Sequence, residues 1–373
     1  MTLPQTRSPT LPRPVRPWTL TLLLAALYLG FVIWRSGGPL GLVLPGTQFT
    51  KGDPQGTEGY DGQFVYYIAR DPLNAAPLID VPPYRYQRIL YPLLARLAGL
   101  GNPRLIVWAL PLLNLLALAA GTWLVERMLA AQGANRWYAL TVGLYAGQLL
   151  SARVDLPEPL ALTLSLAGML ALTRRRTTAA ALLFALAALT KETSLLFVAG
   201  GAAYLWLTRS PGQAIKFTAL AAAPFALYQL LLWRWFGSPG IGSGGANATP
   251  FEVIPLAGFF RIAGAGWGVF GLFSLIMLPL VIAPAGWSLW VTLRNIIRRG
   301  DRRPWTFALL ANAAIVPFIP FSTFREPLAM LRFTAPLVAC VVLYGAARHS
   351  QRTLRYSAFW LAGVIFLLKD PFI

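Results

Sequence analysis

Long apolar runs separated by short, strongly basic segments make up almost the whole chain, and that alternation constrains its fold more than anything else in it. A run of roughly 18 or more apolar residues can satisfy its backbone polar groups in a lipid interior only as a helix or a closed barrel. A succession of such runs without period-two alternation specifies helices. Composition agrees. Of the 373 residues 56% are hydrophobic and 12% charged, and mean hydropathy is +0.57; a soluble domain is roughly a quarter charged. We therefore expect an all-α polytopic membrane protein with runs at 18–34, 104–125, 137–152, 160–173, 178–190, 193–207, 217–235, 267–293, 305–320, 331–347 and 357–368. That is about eleven transmembrane helices.

The basic residues set the expected orientation. Arg7, Arg13 and Arg16, Arg127 and Arg136, the triplet Arg174 to Arg176, Arg209 and Lys216 alternate with less basic loops. So do the clusters from Arg294 to Arg303 and from Arg348 to Arg355. By the positive-inside rule these segments face the cytoplasm, which puts the N-terminus inside and the C-terminus outside. Of the 13 acids only Glu126 and Asp301 then lie on the cytoplasmic side, so the chemistry is expected on the other. The net charge of +19 is accounted for by these short clusters, and no basic face of a soluble domain remains for nucleic acid. With one His (His349) and one Cys (Cys340), a conventional zinc site is excluded and no cofactor is indicated. A divalent cation held by carboxylates stays open.

Three units follow: a Pro-rich tail at 1–17 ahead of an uncleaved first helix, a module at 18–207, and a second module at 208–373. The first contains a long extracytoplasmic loop, 35–103; the second contains another, 237–266, that is Gly/Ser-rich and then amphipathic. In the first loop 60–72 and 92–100 read as helices lying in the interface, aromatics down and charges up. Asp53, Glu58 and Asp80, set among Gly and Pro, read as solvated loop acids.

Several runs are too short. Arg176 and Arg209 both read as cytoplasmic, so each helix of the hairpin between them has about 14 residues. Such a helix rises about 21 Å against about 30 Å of hydrocarbon. The turn at Lys191 and Glu192 should therefore sit recessed, and so should the turn with Arg153, Asp155 and Glu158 and the turn with Arg325 and Glu326. Charges at that depth either snorkel to water as ordinary turns or line a cavity open to the outer side. Asp61 has a plain reading too, because Asp-Gly is a common turn dipeptide.

The stretch Tyr60-Asp61-Gly62-Gln63-Phe64-Val65-Tyr66-Tyr67, with Tyr84-Arg85-Tyr86-Gln87-Arg88 after it and the turns at 153–158 and 190–193, resembles the GT-C superfamily of membrane glycosyltransferases. The likeness is to the polyprenyl-phosphate-mannose-dependent enzymes and to bacterial relatives that take part in cell-surface glycopolymer formation. It covers about 18–207; the remainder matches in hydropathy only. It implies an inverting transfer of a sugar from a polyprenyl-phosphate donor to a cell-envelope glycan or lipid acceptor, at the outer face of a bacterial inner membrane. Asp61 would be the catalytic carboxylate. Arg85, Arg88, Lys191 and Arg325 would bind the donor phosphate, with Glu192 free to pair with Lys191. Asp155, Glu158 and Glu192 would meet sugar or acceptor hydroxyls. Many relatives carry Trp or an acid beside the first-loop Asp, whereas Tyr60 precedes Asp61 here, so Asp71 stands as a competitor. Two other classes remain: a transporter or flippase for lipid-linked glycans, which would favour an inverted repeat that is not visible here, and a non-catalytic glycopolymer-assembly protein.

Overall fold

The structure, a computed structural model, describes residues 15–367. Most of the expected tail at 1–17, and Asp370, lie outside them. The described residues are helical, with no strand and one isolated bridge between Pro45 and Gly59.

Among the described residues five helices are long and apolar enough to cross a membrane, the mark of an integral membrane protein: Pro17–Arg35, Pro103–Ala131, Pro211–Phe236, Trp267–Arg299 and Pro327–Ala347. The other expected runs are helical but shorter, among them Glu158–Thr173, Thr177–Thr190, Leu195–Thr208 and Pro304–Ala314. The run at 137–152 is broken into Arg136–Ala139, Leu140–Gly143 and Ala146–Arg153. Its backbone turns extended at Tyr145, whose hydroxyl lies 3.0 Å from that of Thr334. The run at 357–368 becomes Gln351–Ser357 followed by a 3-10 stretch, Ala358–Leu367.

Proline opens most of the long helices, standing where its missing N–H costs nothing and its φ is already helical. Asn102 and Ser210 cap two of them, accepting from the backbone N–H of Arg104 at 2.9 Å and of Gln213 at 3.2 Å.

Pro327–Ala347 is the central helix, with 72% of its apolar window buried against 28% for Pro17–Arg35 and Pro211–Phe236, whose outer faces are left for lipid. One continuous core runs from Ala25 to Leu367, so the expected modules 18–207 and 208–373 share it. Ala146–Arg153 crosses the central helix at Gly147, where a Cβ would stand 2.1 Å from the carbonyl oxygen of Leu331. Small residues at such crossings let backbones approach closely.

The segment 35–103 is anchored from beneath. Gly62–Arg70 packs on Leu90–Ala98, and behind them Tyr91 donates to the carbonyl of Leu110 at 2.9 Å while Asn114 donates to Tyr91 at 2.7 Å. Tyr86 packs against Trp235 and Phe236, each ring centroid 5.2 Å away, at the end of Pro211–Phe236. Two spanning helices thus hold the loop in place.

The crossing at Gly147 gives a direct check. Gly147→Val should lower the thermal midpoint in detergent by the equivalent of about 1–3 kcal/mol of overpacking. Gly286→Val, at a position with open space around it, should change it little.

Candidate functional site

A polar cavity of about 330 Å³ opens where the segment 35–103, the segment 237–266 and the turn at 321–327 converge. Its charged and phenolic lining comes from Glu58, Tyr60, Asp61, Asp80, Tyr84 and Arg85 on the first segment and from Arg325, Glu326 and Arg332 on the other side, with Gly245–Ala248 along one edge. The segment 237–266 is tied there to the segment 35–103 and to the turn. The N–H of Ala246 donates to Asp80 at 3.3 Å, Asn247 to Glu58 at 3.0 Å, and the N–H of Thr249 to Ser322 at 3.0 Å.

Asp61 stands at the start of Gly62–Arg70 but does not cap it; its carboxylate turns away to Arg85 Nη1 at 3.0 Å. Gly62 fixes that placement. A Cβ there would stand 2.3 Å from the carbonyl oxygen of Val154, so the helix start presses directly on the turn at 153–159. Arg85 is itself clasped by Asp80, with Nε to Oδ1 at 2.8 Å and Nη2 to Oδ2 at 2.7 Å, and its guanidinium stacks over Phe64 at 4.5 Å. Asp80 is thus no solvated loop acid. Its side chain is 6% exposed, against 33% for Asp61, so Asp80 positions the arginine and Asp61 is the partner open to the cavity. Burial pushes the Asp61 carboxyl up, but Arg85, and after it Arg332, outweigh burial and hold it below its usual value.

The other expected residues pair among themselves. Arg88 forms a bidentate pair with Glu192 (2.9 and 2.6 Å) and hydrogen-bonds the Tyr84 hydroxyl at 2.8 Å. Lys191 donates to Glu158 at 2.6 Å. Glu192 therefore reaches across to Arg88, not to its neighbour Lys191, because the extended backbone at Lys191 sends adjacent side chains to opposite sides. Asp155 is fully buried in a left-handed conformation (φ 49°), its two carboxylate oxygens have no hydrogen-bond partner, and it does not line the cavity. The sugar-binding role expected of it has no support in that position. Asp71 is exposed, hydrogen-bonded by Asn74, at the far end of Gly62–Arg70 from Asp61. Nine residues of helix separate the two, a rise of about 13 Å, so the cavity brings in Asp61 and leaves Asp71 out.

Arg332 is the residue that reasoning from the sequence missed. It enters from the first turns of the central helix, with its guanidinium 5.5 Å from the Tyr60 ring, while Tyr60 donates to Glu326 at 2.9 Å. Among the described residues no carboxylate lies within ion-pair distance of Arg332 or Arg325, and the Nε of Arg332 is buried without a partner. A charged residue inside a spanning run is itself a functional signal, and that signal was available. Among the described residues no group of three or more His, Cys, Asp or Glu is placed to hold a metal ion.

Chemically, the cavity offers an anionic acceptor of protons, Asp61, beside guanidinium groups with spare donors. No protein-family model matches this chain, and neither a curated protein nor a solved structure matches it. Any functional reading therefore rests on the chain's own residues.

The pair Lys191–Glu158, with both side chains largely buried, should behave as a buried ion pair. Lys191→Met or Glu158→Leu alone should cost about 3–5 kcal/mol, since each leaves an uncompensated charge. The double variant should recover most of that loss, measured as thermal midpoints in the same detergent.

Proposed function

We propose that the chain is an inverting glycosyltransferase of GT-C type. It would move a sugar from a polyprenyl-phosphate donor to a hydroxyl of a cell-envelope glycan or lipid acceptor, at the extracytoplasmic face of a bacterial inner membrane. The observation that carries the reading is the pairing of charges in the cavity: a carboxylate a third exposed, Asp61, faces Arg332 and Arg325, which have no carboxylate partner.

The acceptor oxygen attacks C1 of the sugar as the bond from C1 to the phosphate oxygen breaks. The electron pair of that bond leaves with the lipid phosphate, and the acceptor proton passes to Asp61. One carboxylate suffices, because the leaving phosphate is already a stable anion and needs cations, not an acid. Arg332 and Arg325 can supply them, each being a fork of donors free to meet phosphate oxygens. Arg85 is committed to Asp80 and orients Asp61. Arg88 and Lys191, each held by an acid, do not line the cavity and are not assigned to the donor phosphate. Asp61, kept ionised by its arginines, is a weak base in the resting protein. A phosphate bound at Arg332 draws positive charge away from it and strengthens it as the new bond forms.

Purified protein incubated with a panel of polyprenyl-phosphate sugars should release polyprenyl phosphate from at least one, read by mass spectrometry together with the new glycoside. Asp61→Asn should lower release by about 10²–10⁴-fold with its thermal midpoint retained, and Asp71→Asn should turn over normally. Wild-type turnover in Asp61→Asn, or substrate movement without a new glycosidic bond, would refute the reading. The pH profile supplies a further check. Asp61 must be ionised to accept a proton, so activity falls as pH drops through its lowered pKa. Arg332→Gln, which removes one of the cations holding that pKa down, should move the acid limb to higher pH as well as slowing transfer.

A further inference from the structure

At the other end of Thr177–Thr190 from Lys191, about 21 Å away along the helix, lies a larger cavity that no part of the transfer reaction uses. Its volume is about 700 Å³. It opens between the turn at Arg174–Arg176 and the start of Pro211–Phe236, with Leu195–Thr208 at its back. Four cations stand around it: Arg175, Arg176, Arg209 and Lys216. No carboxylate lines it, and among the described residues none of the four takes part in an ion pair. The other basic segments expected on this side differ in that each of two groups has an acid among its cations. Arg16 and Arg136 reach toward Glu126, and Arg303 and Arg348 toward Asp301. Here the positive charge is left uncompensated.

Beneath the cations the wall is apolar, formed by Leu172, Leu205, Phe217 and Leu220. Leu220 is 38% exposed, on a spanning helix whose outer face is left for lipid, so the apolar wall continues sideways onto that face. Neutral donors are present at the rim in Tyr204, Gln213 and Thr177. The turn itself favours charge over ease of folding. Arg175 adopts φ 61° at the end of Glu158–Thr173, where the N–H of Arg176 closes back on the carbonyl of Ala171 at 2.9 Å. Glycine takes that conformation without cost.

We propose that this cavity binds an anionic phospholipid, with its phosphate among Arg175, Arg176, Arg209 and Lys216 and an acyl chain along Leu172, Leu205, Phe217 and Leu220. Charge complementarity selects the phosphate. The apolar wall, opening toward lipid and not toward water alone, selects a lipid over a free anion. Basic pockets between membrane helices bind anionic headgroups on this principle. The inference is independent of the reaction assigned to the Asp61 cavity, since the two sites share no residue.

The test is native mass spectrometry of the full-length protein in detergent, titrated with phosphatidylglycerol or with phosphatidylcholine of the same acyl chains. The wild type should retain phosphatidylglycerol adducts selectively. Arg176→Gln/Arg209→Gln/Lys216→Gln should weaken that binding on the order of a hundredfold, at roughly fivefold per cation. Arg298→Gln/Arg299→Gln, in a basic segment elsewhere, should bind as the wild type does. If the triple variant does not fold, Arg209→Gln alone is expected to lose about fivefold. Equal retention of the two lipids, or unchanged binding in the variants, would overturn the proposal. Displacement of phosphatidylglycerol by millimolar inorganic phosphate would overturn it too, by assigning the site to free anions.

Discussion

A 14-residue helix rises about 21 Å, and hydrocarbon is about 30 Å thick. Thr177–Thr190 and Leu195–Thr208, of 14 residues each, are both too short to cross such a layer upright. Between them the side chains of Lys191 and Glu192 are largely buried in the protein, where an unpaired charge is costly, and each finds an opposite charge. Lys191 finds Glu158 on the neighbouring hairpin, and Glu192 finds Arg88 on the segment 35–103. The second pairing is decisive for the architecture. It ties the long loop to the turn at Lys191 and Glu192, and with it Tyr84, Arg85 and, through Arg85, Asp61.

Once Arg85 is fixed, the geometry of the site follows. The Nε/Nη2 edge of the guanidinium matches a carboxylate in two parallel hydrogen bonds, and Asp80 takes it. The remaining Nη1 is left for Asp61, which is held by one arm only and keeps a third of its side chain open. A buried acid that anchors and an exposed acid that faces the cavity are thus separated by the shape of one arginine. Arg332 completes the field from the central helix, close enough to influence Asp61 without an ion pair to quench it. The basic cavity at the opposite end of Thr177–Thr190 is of a different kind for the same reason. There the cations have no acid nearby, so whatever neutralises them must come from outside the chain.

Much of this was legible in the sequence. Hydropathy marked the helices, and the short runs marked the charged turns at 153–159, 191–193 and 321–327 between them. The segment 60–72 showed where an acid would meet aromatic side chains. What hydropathy could not read is where a run breaks. The run at 137–152 carries no charge, yet the bond between Tyr145 and Thr334 and the close approach at Gly147 depend on a partner helix nearly two hundred residues away in the chain. Pairing was equally hidden. Asp80 among Gly and Pro has the composition of a solvated loop, and only the fold brings its carboxylate onto Arg85, five residues on. Neighbours in sequence suggested Lys191 with Glu192, whereas extended backbone at Lys191 sends them to different partners. Arg332 was in plain view inside an apolar run; its role depends on Tyr60, Asp61 and Glu326, all brought to it by tertiary contacts.

If the cavity beside Asp61 is where a sugar leaves a lipid phosphate, a structure determined with a polyprenyl-phosphate sugar bound tests that most directly. The phosphate is expected on Arg332 and Arg325, with the anomeric carbon turned toward the Asp61 carboxylate and room for an acceptor hydroxyl between them. A donor seated elsewhere, with its phosphate in the basic cavity at Arg176 or its sugar directed away from Asp61, would contradict it.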